Sequence, residues 1–451
     1  MYKFISSQLR MAKISPYARR WSVEEKNFFL QVFLAGPRAY KVLTSQMKIP
    51  TEKTIKKCVS GIEINPGFSL PILNAIKIVA AKMKPEDRLC NLLLDEIKIR
   101  PGFSYYAKSD QVIGYENYGD LVESSSKAAT HALVFMVRGV CIKWKQVFAT
   151  FFSADTTPSA ALKILVIAGL EKLVAAGLEP VSVICDMGTN NQKLFFSELE
   201  VTVEKPFFLM PNTSRKVFCI FDPPHLLKCL RNNFAKYKVT FNEAKTASWE
   251  DIRDLYEFDK EQTHRIAKKL TDRHVNLQNL DKMSVRRAAE TLSGTVAACL
   301  CTLSVFRPDE KRVSRANTAD FSAAVNDLFD SVNSRCIKHK TNRLLSTVTQ
   351  TSIHMNKWEE LSRFVKSIKF ETGEKKINFP CLQGWQITLS AFQQMVPELL
   401  SQMSFILMNR FNQDALESFF SKVNAIFQSF YNSFNFKLIA LYATCQMLIE
   451  P

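Results

Sequence analysis

NLLLDEIKI, residues 91–99, poses the question on which the fold turns. Three leucines run straight into Asp95, and Ile97 continues the apolar pattern. A short apolar run of this kind reads as a buried strand. This one carries a carboxylate in its middle, and burying an unpaired charge is expensive. Something elsewhere in the chain must offset that cost.

The neighbouring segments supply the frame. HALVFMVRGV (131–140) and CIKWKQVFATFFSA (141–154) read as two further strands, the second with alternation. PGFSYYAKSDQVIGYENYG (101–119) reads as a turn, a strand and another turn. A helix follows, with Thr157 as N-cap, Pro158 at its first position and Gly177 as its stop. PVSVICD (180–186) and KVFCIFD (216–222) are short apolar strands that end in Asp186 and Asp222. LPILNAIKIVAAKM (70–83), ahead of the first strand, is a helix that Pro85 ends. From about 235 to 404 the spacing of apolar residues is helical, as in VRRAAETLSGTVAACLCTL and FSAAVNDLFDSVNSR. ETGEKKINFP (371–380) reads as a loop or short hairpin. NQDALESFFSKVNAIF (412–427) and KLIALYATCQMLIEP (437–451) read as helices.

Three acids therefore sit in apolar frames: Asp95 in mid-strand, Asp186 at a strand end and Glu417 on a helix. Two aspartates on neighbouring strands and a third acid on a later helix are the elements of an RNase H-like metal site. Carboxylates brought together repel, so one stays protonated unless a cation intervenes. Paired Mg²⁺ ions remove that conflict and serve phosphodiester chemistry. On this account Asp95 is tolerated because it is a metal ligand. A strand aspartate is more often an edge residue or an ion-pair partner, and the spacing leaves open whether the three acids converge. His225 and Asp222, in DPPH, are candidates for support of such a site rather than for membership of it.

The chain has 451 residues, enough for two or three domains, and nearly half of them are apolar. The formal net charge is +17 and the isoelectric point is near 9.3, which favours a polyanionic partner. The excess is concentrated at the N-terminus, where twelve lysines and arginines among residues 1–60 face only Glu24, Glu25 and Glu52. Residues 1–18 read as a basic tail. Residues 19–64 read as short helices: Ser22 and Glu25 form a capping box, Gly36-Pro37 breaks the first helix, and Thr51 caps a third. Three short helices with a basic last one fit a helix-turn-helix, with Lys53, Lys56 and Lys57 toward DNA. A small bundle with a solvated lysine face gives the same pattern. The 11 cysteines show no CxxC pair or zinc spacing and read as reduced thiols. ALKILVIAGLEKLVAAGL (161–178) is interrupted by Lys163, Glu171 and Lys172, so it predicts a core helix and no membrane span.

FDPPHLLKCLRNNF (221–234) resembles the D-x-x-H-L-L-K-x-x-R-N signature of P-element-type transposases, including the THAP-domain transposase-like proteins of animals. LLLDEIKIRPGFSY, QVIGYENYG, VICDMGTNN and NQDALESFF resemble further motifs of that family in the same order, and YARRWSVEEKNFFLQVFLAGPRAYKVL resembles its helix-turn-helix. The resemblance implies a mixed α/β fold: an RNase H-like catalytic core (65–234 and 405–451), interrupted by a helical GTP-binding insertion (235–404) and preceded by the helix-turn-helix. It implies that Asp95, Asp186 and Glu417 are the D/D/E ligands of Mg²⁺ or Mn²⁺. NDLFDSVNSR (326–335) resembles the guanine-binding stretch. There Phe329 would stack on the base and Asp330 would accept from guanine N1–H and N2–H. Asn333 would lie a helical turn on, on the same face. Asp414 matches a further position of the GTP site, three residues before Glu417 on one helix face; Val285 and a lysine at 268–269 would line it. No G-x-x-x-x-G-K-[ST] loop is present, so GTP would be held by another geometry.

The resemblance implies a nuclear, homo-oligomeric DNA transposase that acts on transposon ends and target DNA with GTP as cofactor. The sequence departs from the family at both ends, without a THAP finger of C-x-C-C-H type and with 34 residues after Glu417, so a shortened chain is expected. The competing expectation is a transposase-derived DNA-binding protein or repressor without catalysis.

Overall fold

The computed structural model describes residues 2–60, 66–106, 110–211, 213–307, 309–372, 375–377 and 379–429. Four helices open the chain: α1 (Tyr2–Ala12), α2 (Val23–Ala35), α3 (Pro37–Gln46) and α4 (Glu52–Ser60). Ser22 and Glu25 cap α2 reciprocally, and Gly36 ends it where Pro37 starts α3. The Thr51 hydroxyl accepts from Thr54 N at the head of α4. Residues 2–12, expected as a tail, are helical. Phe4 packs on Phe28 and Phe29, Met11 is fully buried, and Arg10 and Ser7 both reach the Glu25 carboxylate. Basic charge masked an amphipathic pattern in that segment.

The core follows. A two-residue strand β1 (Gly67–Phe68) and helix α5 (Leu70–Ala80) precede β2 (Leu89–Lys98). The hairpin β3 (Ser104–Tyr106) and β4 (Gln111–Ile113) comes next, two short strands where the sequence predicts one. Then come β5 (His131–Gly139), β6 (Lys145–Ser153), α6 (Ser159–Ala175), β7 (Glu179–Cys185), the short α7 (Thr189–Lys193) with a π-helical turn after it, β8 (Phe207–Leu209), β9 (Lys216–Phe221) and α8 (Pro223–Phe234). The N-cap of α6 is Pro158 rather than Thr157, and Gly177 leaves the helix at φ +85°.

The seven strands form one sheet in the order β1-β6-β5-β2-β7-β9-β8. Strands β2, β7 and β9 are parallel; β5 pairs antiparallel with β2, β6 with β5, and the edge strands β1 and β8 pair antiparallel with β6 and β9. Strands buried on both faces need apolar side chains throughout, and Leu92, Leu93, Leu94, Val183, Ile184 and Ile220 have essentially no exposure.

The chain leaves the core through β10 (Lys238–Phe241) and β11 (Lys245–Ala247). It builds helices α9 (Trp249–Lys260), α10 (Asp272–Val275), α11 (Asn279–Lys282), α12 (Val285–Thr291), α13 (Gly294–Phe306), α14 (Arg312–Ser331) and α15 (His354–Ser367). It returns through β12 (Lys369–Thr372) and β13 (Lys375–Ile377). These four strands form a second sheet in which β10 pairs with β12, so the outgoing and returning chains are hydrogen-bonded side by side. The segment expected to be helical thus stands on a β stalk, whose strands are too short to show a periodic signal. Val285–Phe306 is long and apolar enough to cross a membrane by composition. It is two helices, broken between Leu292 and Ser293, with Val296, Leu300 and Leu303 buried.

Helix α16 (Pro380–Leu400), inside the span expected as insertion, packs both on the core and on α15, where Phe392 meets Trp358. Its Thr388 hydroxyl accepts from Phe221 N and donates to Phe221 O on β9. A Cβ on Gly384 would stand 2.7 Å from Leu226 and 2.8 Å from the Met187 sulfur. Overpacking of this kind costs about 1–3 kcal/mol. Gly384→Ala is therefore expected to lower the urea midpoint; an unchanged midpoint would show that the contact relaxes freely. The last described helix is α17 (Asp414–Ser429). The helix expected over 437–451 and residues 61–64 of the expected helix-turn-helix lie outside the described residues.

Candidate active site

The register of the parallel strands places the acids. Leu93 pairs with Ile184, and Ile184 with Ile220. Two residues beyond each stand Asp95, Asp186 and Asp222. Side chains two apart in a strand share a face, so the sheet ends in a row of three aspartates. The carboxyl ends of parallel strands are where open α/β sheets hold their ligands. Asp95 and Asp186 line a cleft of about 370 Å³, with Glu96, Lys98, Thr157 and Asn190 among its walls.

Each carboxylate is oriented by the chain around it. Asp95, half-buried, accepts from Glu96 N at 2.8 Å. Asp186 accepts from Gly188 N at 2.8 Å and from the Asn191 amide at 2.6 Å. Glu96 accepts from Thr157 N at 2.7 Å, tying β2 to the start of α6. Burial pushes the Asp95 carboxyl well above the usual carboxylate range, and the charge of Asp186 adds to it, followed by those of Asp222 and Glu417.

Asp222 plays another part. It is 1% exposed and caps α8 by accepting from His225 N at 2.8 Å; its second oxygen accepts from Gln413 N at 2.8 Å. Burial pushes it up to about 7, and Glu417 and Asp414 push the same way against those two hydrogen bonds. With both oxygens engaged, Asp222 fixes the residue before α17. The Gln413 amide also donates to Leu94 O at 2.6 Å, next to Asp95. Arg138 on β5 donates to Asn412 O and Oδ1, and the Asn91 amide donates to Arg410 O. Residues 410–413 are thereby stitched across β2, β5 and β9, and the first turn of α17 presents Glu417, which is exposed. The His225 ring is mostly buried; burial lowers its pKa, Lys228 lowers it further, and Asp186 opposes both.

Sequence spacing left this clamp invisible. Asn91, Arg138 and Gln413 act through bonds to residues up to 319 positions away. The available signal was an amide within the leucine run and a glutamine beside Asp414 in NQDALESFF.

The donors suit a hard divalent cation: carboxylate oxygens on adjacent strands, in mutual repulsion that positive charge would relieve. Among the described residues, no three His, Cys, Asp or Glu side chains already stand together at metal-holding distance. Asp95 and Asp186 instead turn one oxygen each to backbone amides.

The residues expected at a nucleotide lie at the end of α14. Asp330 accepts from the Asn326 amide at 3.0 Å and the Asn342 amide at 2.8 Å, both on Oδ2, which leaves Oδ1 for a ligand. Burial pushes Asp330 up to about 6, with Asp327 adding to it. One expectation is corrected here. Helix α14 ends at Ser331, so Asn333 is past the helix rather than one turn along it, and its N–H donates to Asp330 O at 3.3 Å. Phe329 is 8% exposed and packs against the core. Val285, half-buried, opens α12, and Lys268 and Lys269 are exposed. Arg335 pairs with Asp414 at 3.0 Å, while Ser334 receives bonds from Met408 N and Asn409 N. The loop after Asp330 is thus tied to the start of the helix that carries Glu417. On α4, Ile55 is buried and Lys53 and Lys57 are exposed; the Lys56 side chain lies outside the described residues.

Two family models match the chain. Residues 64–198 match "TNP-like, RNase H N-terminal domain" and residues 224–344 match "TNP-like, GTP-binding insertion domain". The Transposable element P transposase of Drosophila melanogaster is 26% identical over 434 residues, covering 94% of this chain and 53% of the relative. The DNA transposase THAP9 of Homo sapiens is 21% identical over 329 residues, covering 70% of this chain and 35% of the relative. The chain thus spans about half and about a third of these two relatives' lengths. In fold, it is similar to a chain of the Drosophila P element transposase strand transfer complex, with a TM-score of 0.82 and 24% identity over 99% of this chain and 98% of that one. An RNase H-like core with a GTP-binding-type insertion, matched along nearly its whole length by a P transposase, makes this chain a member of the P-element transposase family.

Proposed function

We propose that the chain is a DNA transposase that cuts and joins DNA strands with Mg²⁺ or Mn²⁺ and uses GTP as a cofactor. The observation that carries this is the strand-end row of Asp95 and Asp186 together with the clamp that sets the first turn of α17, and so Glu417, beside them. Asp95, Asp186 and Glu417 would hold the metal. Bound there, a divalent pair would activate a water or 3′-hydroxyl and stabilise the leaving oxygen. The chain's own residues do the rest: Asn191 holds Asp186, Glu96 anchors the cleft wall, and Asp222 with Gln413 holds the helix in place. Asp330 would read guanine, with Asn326 and Asn342 fixing its carboxylate. The exposed Lys53 and Lys57 of α4, with Lys56 beside them in sequence, would contact DNA phosphates. The same proposal makes the protein nuclear and oligomeric, acting on transposon ends.

The test is supercoiled plasmid with the full chain, Mg²⁺ or Mn²⁺, with and without GTP. Relaxed product is expected from the wild type and none from Glu417→Gln. Equal product from both would remove Glu417 from the site. DNA binding without product, and without any Mn²⁺ retained by the protein, would favour a DNA-binding descendant that no longer catalyses.

A further inference from the structure

The hairpin that follows β2 exposes aromatic rings where a folded domain would be expected to bury them. Phe103 is 55% exposed and Tyr105 63%; Val112 and Tyr115 are exposed as well. Tyr105 pairs with Val112 across the hairpin, so those two share a face, and Phe103 stands two residues before Tyr105, at the foot of β3. Phe103 also packs on Tyr115, with ring centroids 4.6 Å apart. The Tyr105 hydroxyl donates to Asp110, which holds its ring across the hairpin.

A two-stranded ribbon is marginal by itself, and this one is anchored with care. Gly114 sits at φ +121°, and a Cβ there would stand 2.2 Å from Gly102 O, so the two arms meet at their base as only glycine allows. Gly114 O accepts from Ala129 N, and Asn117 exchanges backbone bonds with Phe152 of β6 at 2.7 and 2.9 Å. The Glu116 carboxylate accepts from Ser125 N and Ala154 N. An apolar face anchored in this way and exposed among the described residues is the kind of patch that marks an interaction surface.

Its setting names the partner. Lys98 lines the carboxylate cleft, and Lys98 and Arg100 are both exposed, with no ion pair among the described residues. Phe103 follows Lys98 by five residues, a span of at most about 17 Å. That is about five base steps of 3.4 Å along a strand. Cations followed by aromatic rings are the components of single-strand binding: the charges hold the backbone and the rings take the bases. Paired bases offer no free face to such rings.

We propose that the β3–β4 hairpin is a stacking platform for unpaired DNA bases beside the cleavage point, on a strand led past Arg100 and Lys98 into the cleft. This rests on DNA being the substrate of that cleft. Base stacking on aromatic side chains contributes about 1–3 kcal/mol per base.

The experiment measures binding of the full chain in chelator, where no cleavage occurs. The probes are a short duplex and the same duplex with a single-stranded arm carrying 2-aminopurine. The wild type is expected to bind the armed DNA about tenfold more tightly and to quench the arm's fluorescence. Phe103→Ala with Tyr105→Ala should lose both effects, bind the plain duplex as before and melt as the wild type does. Tyr105→Phe, which keeps a ring, should retain both. Equal binding of the two DNAs by the wild type would overturn the platform, as would an unchanged preference in the double alanine variant. Failure to bind either DNA would overturn it along with the proposed DNA substrate. A retained preference in a protein that never nicks plasmid would support the platform while removing the proposed catalysis.

Discussion

Asp95→Asn is expected to abolish metal-dependent nicking, by at least about three orders of magnitude, while DNA binding stays within about twofold. In the proposed reaction several kcal/mol of charge stabilisation would rest on the metal, and each 1.36 kcal/mol is tenfold in rate. The substitution is conservative in shape. Asparagine Oδ1 can keep the bond that Asp95 takes from Glu96 N, so lost activity would not mean lost fold. Stability should move the opposite way. The folded-state pKa of Asp95 lies above its unfolded value, because of burial and then the Asp186 charge. Such a group contributes stability that is present below the unfolded pKa and is lost as pH rises through the folded one. Near neutral pH and without metal, the carboxylate therefore destabilises the fold, and Asp95→Asn should raise the melting temperature. Adding Mn²⁺ should raise the melting point of the wild type and leave the variant nearly unmoved. A variant that melts lower than wild type in chelator, or gains as much from Mn²⁺, would refute Asp95 as a repelled metal ligand.

The cost posed by the leucine run is thus met by position. Asp95 stands where β2 outruns its parallel pairing with β7, while it still pairs with Val134 of β5, so one side of the strand opens to the cleft. Sequence showed the strand, the acid and the two strand-end aspartates, because apolar runs and their abrupt ends are local. It did not show that Asp222 would face the backbone of residue 413 instead of the cleft, since that contact crosses 191 positions. It misjudged α1, where charge hid the partly buried Phe4 and the buried Met11, and the helical period of α16 carries no mark of what it packs on. The stalk pairing of β10 with β12 joins residues 238–240 to 369–371, a long-range contact with no local signature, whereas the β12–β13 pair falls where a loop or short hairpin was read. Asn333 was placed on a helix by counting, but the helix had ended at Ser331.

GTP affinity is expected to fall about a hundredfold or more in Asp330→Asn, and to fall in the wild type as pH drops below about 6. Guanine presents two donors, N1–H and N2–H, which a carboxylate accepts together. Hydrogen bonds to a charged group are worth about 1.5–3 kcal/mol each, and a buried group left facing the wrong partner costs more. In the variant one oxygen can keep the two clamp amides of Asn326 and Asn342, so an NH₂ would then meet the guanine donors. The same chemistry sets the pH response. Burial pushes Asp330 up to about 6, and the protonated acid no longer accepts both bonds. Affinity should decline by about tenfold per unit below that value. The sign for the free protein is opposite: this group's contribution to stability is present below about pH 4 and is lost as pH rises through about 6. The thermal shift that GTP produces should therefore be full above pH 6 and shrink toward pH 5. Calorimetry with GTP and ATP across that range measures both effects. Equal GTP affinity in Asp330→Asn and wild type, or an affinity flat from pH 5 to 8, would mean that Asp330 does not read the base.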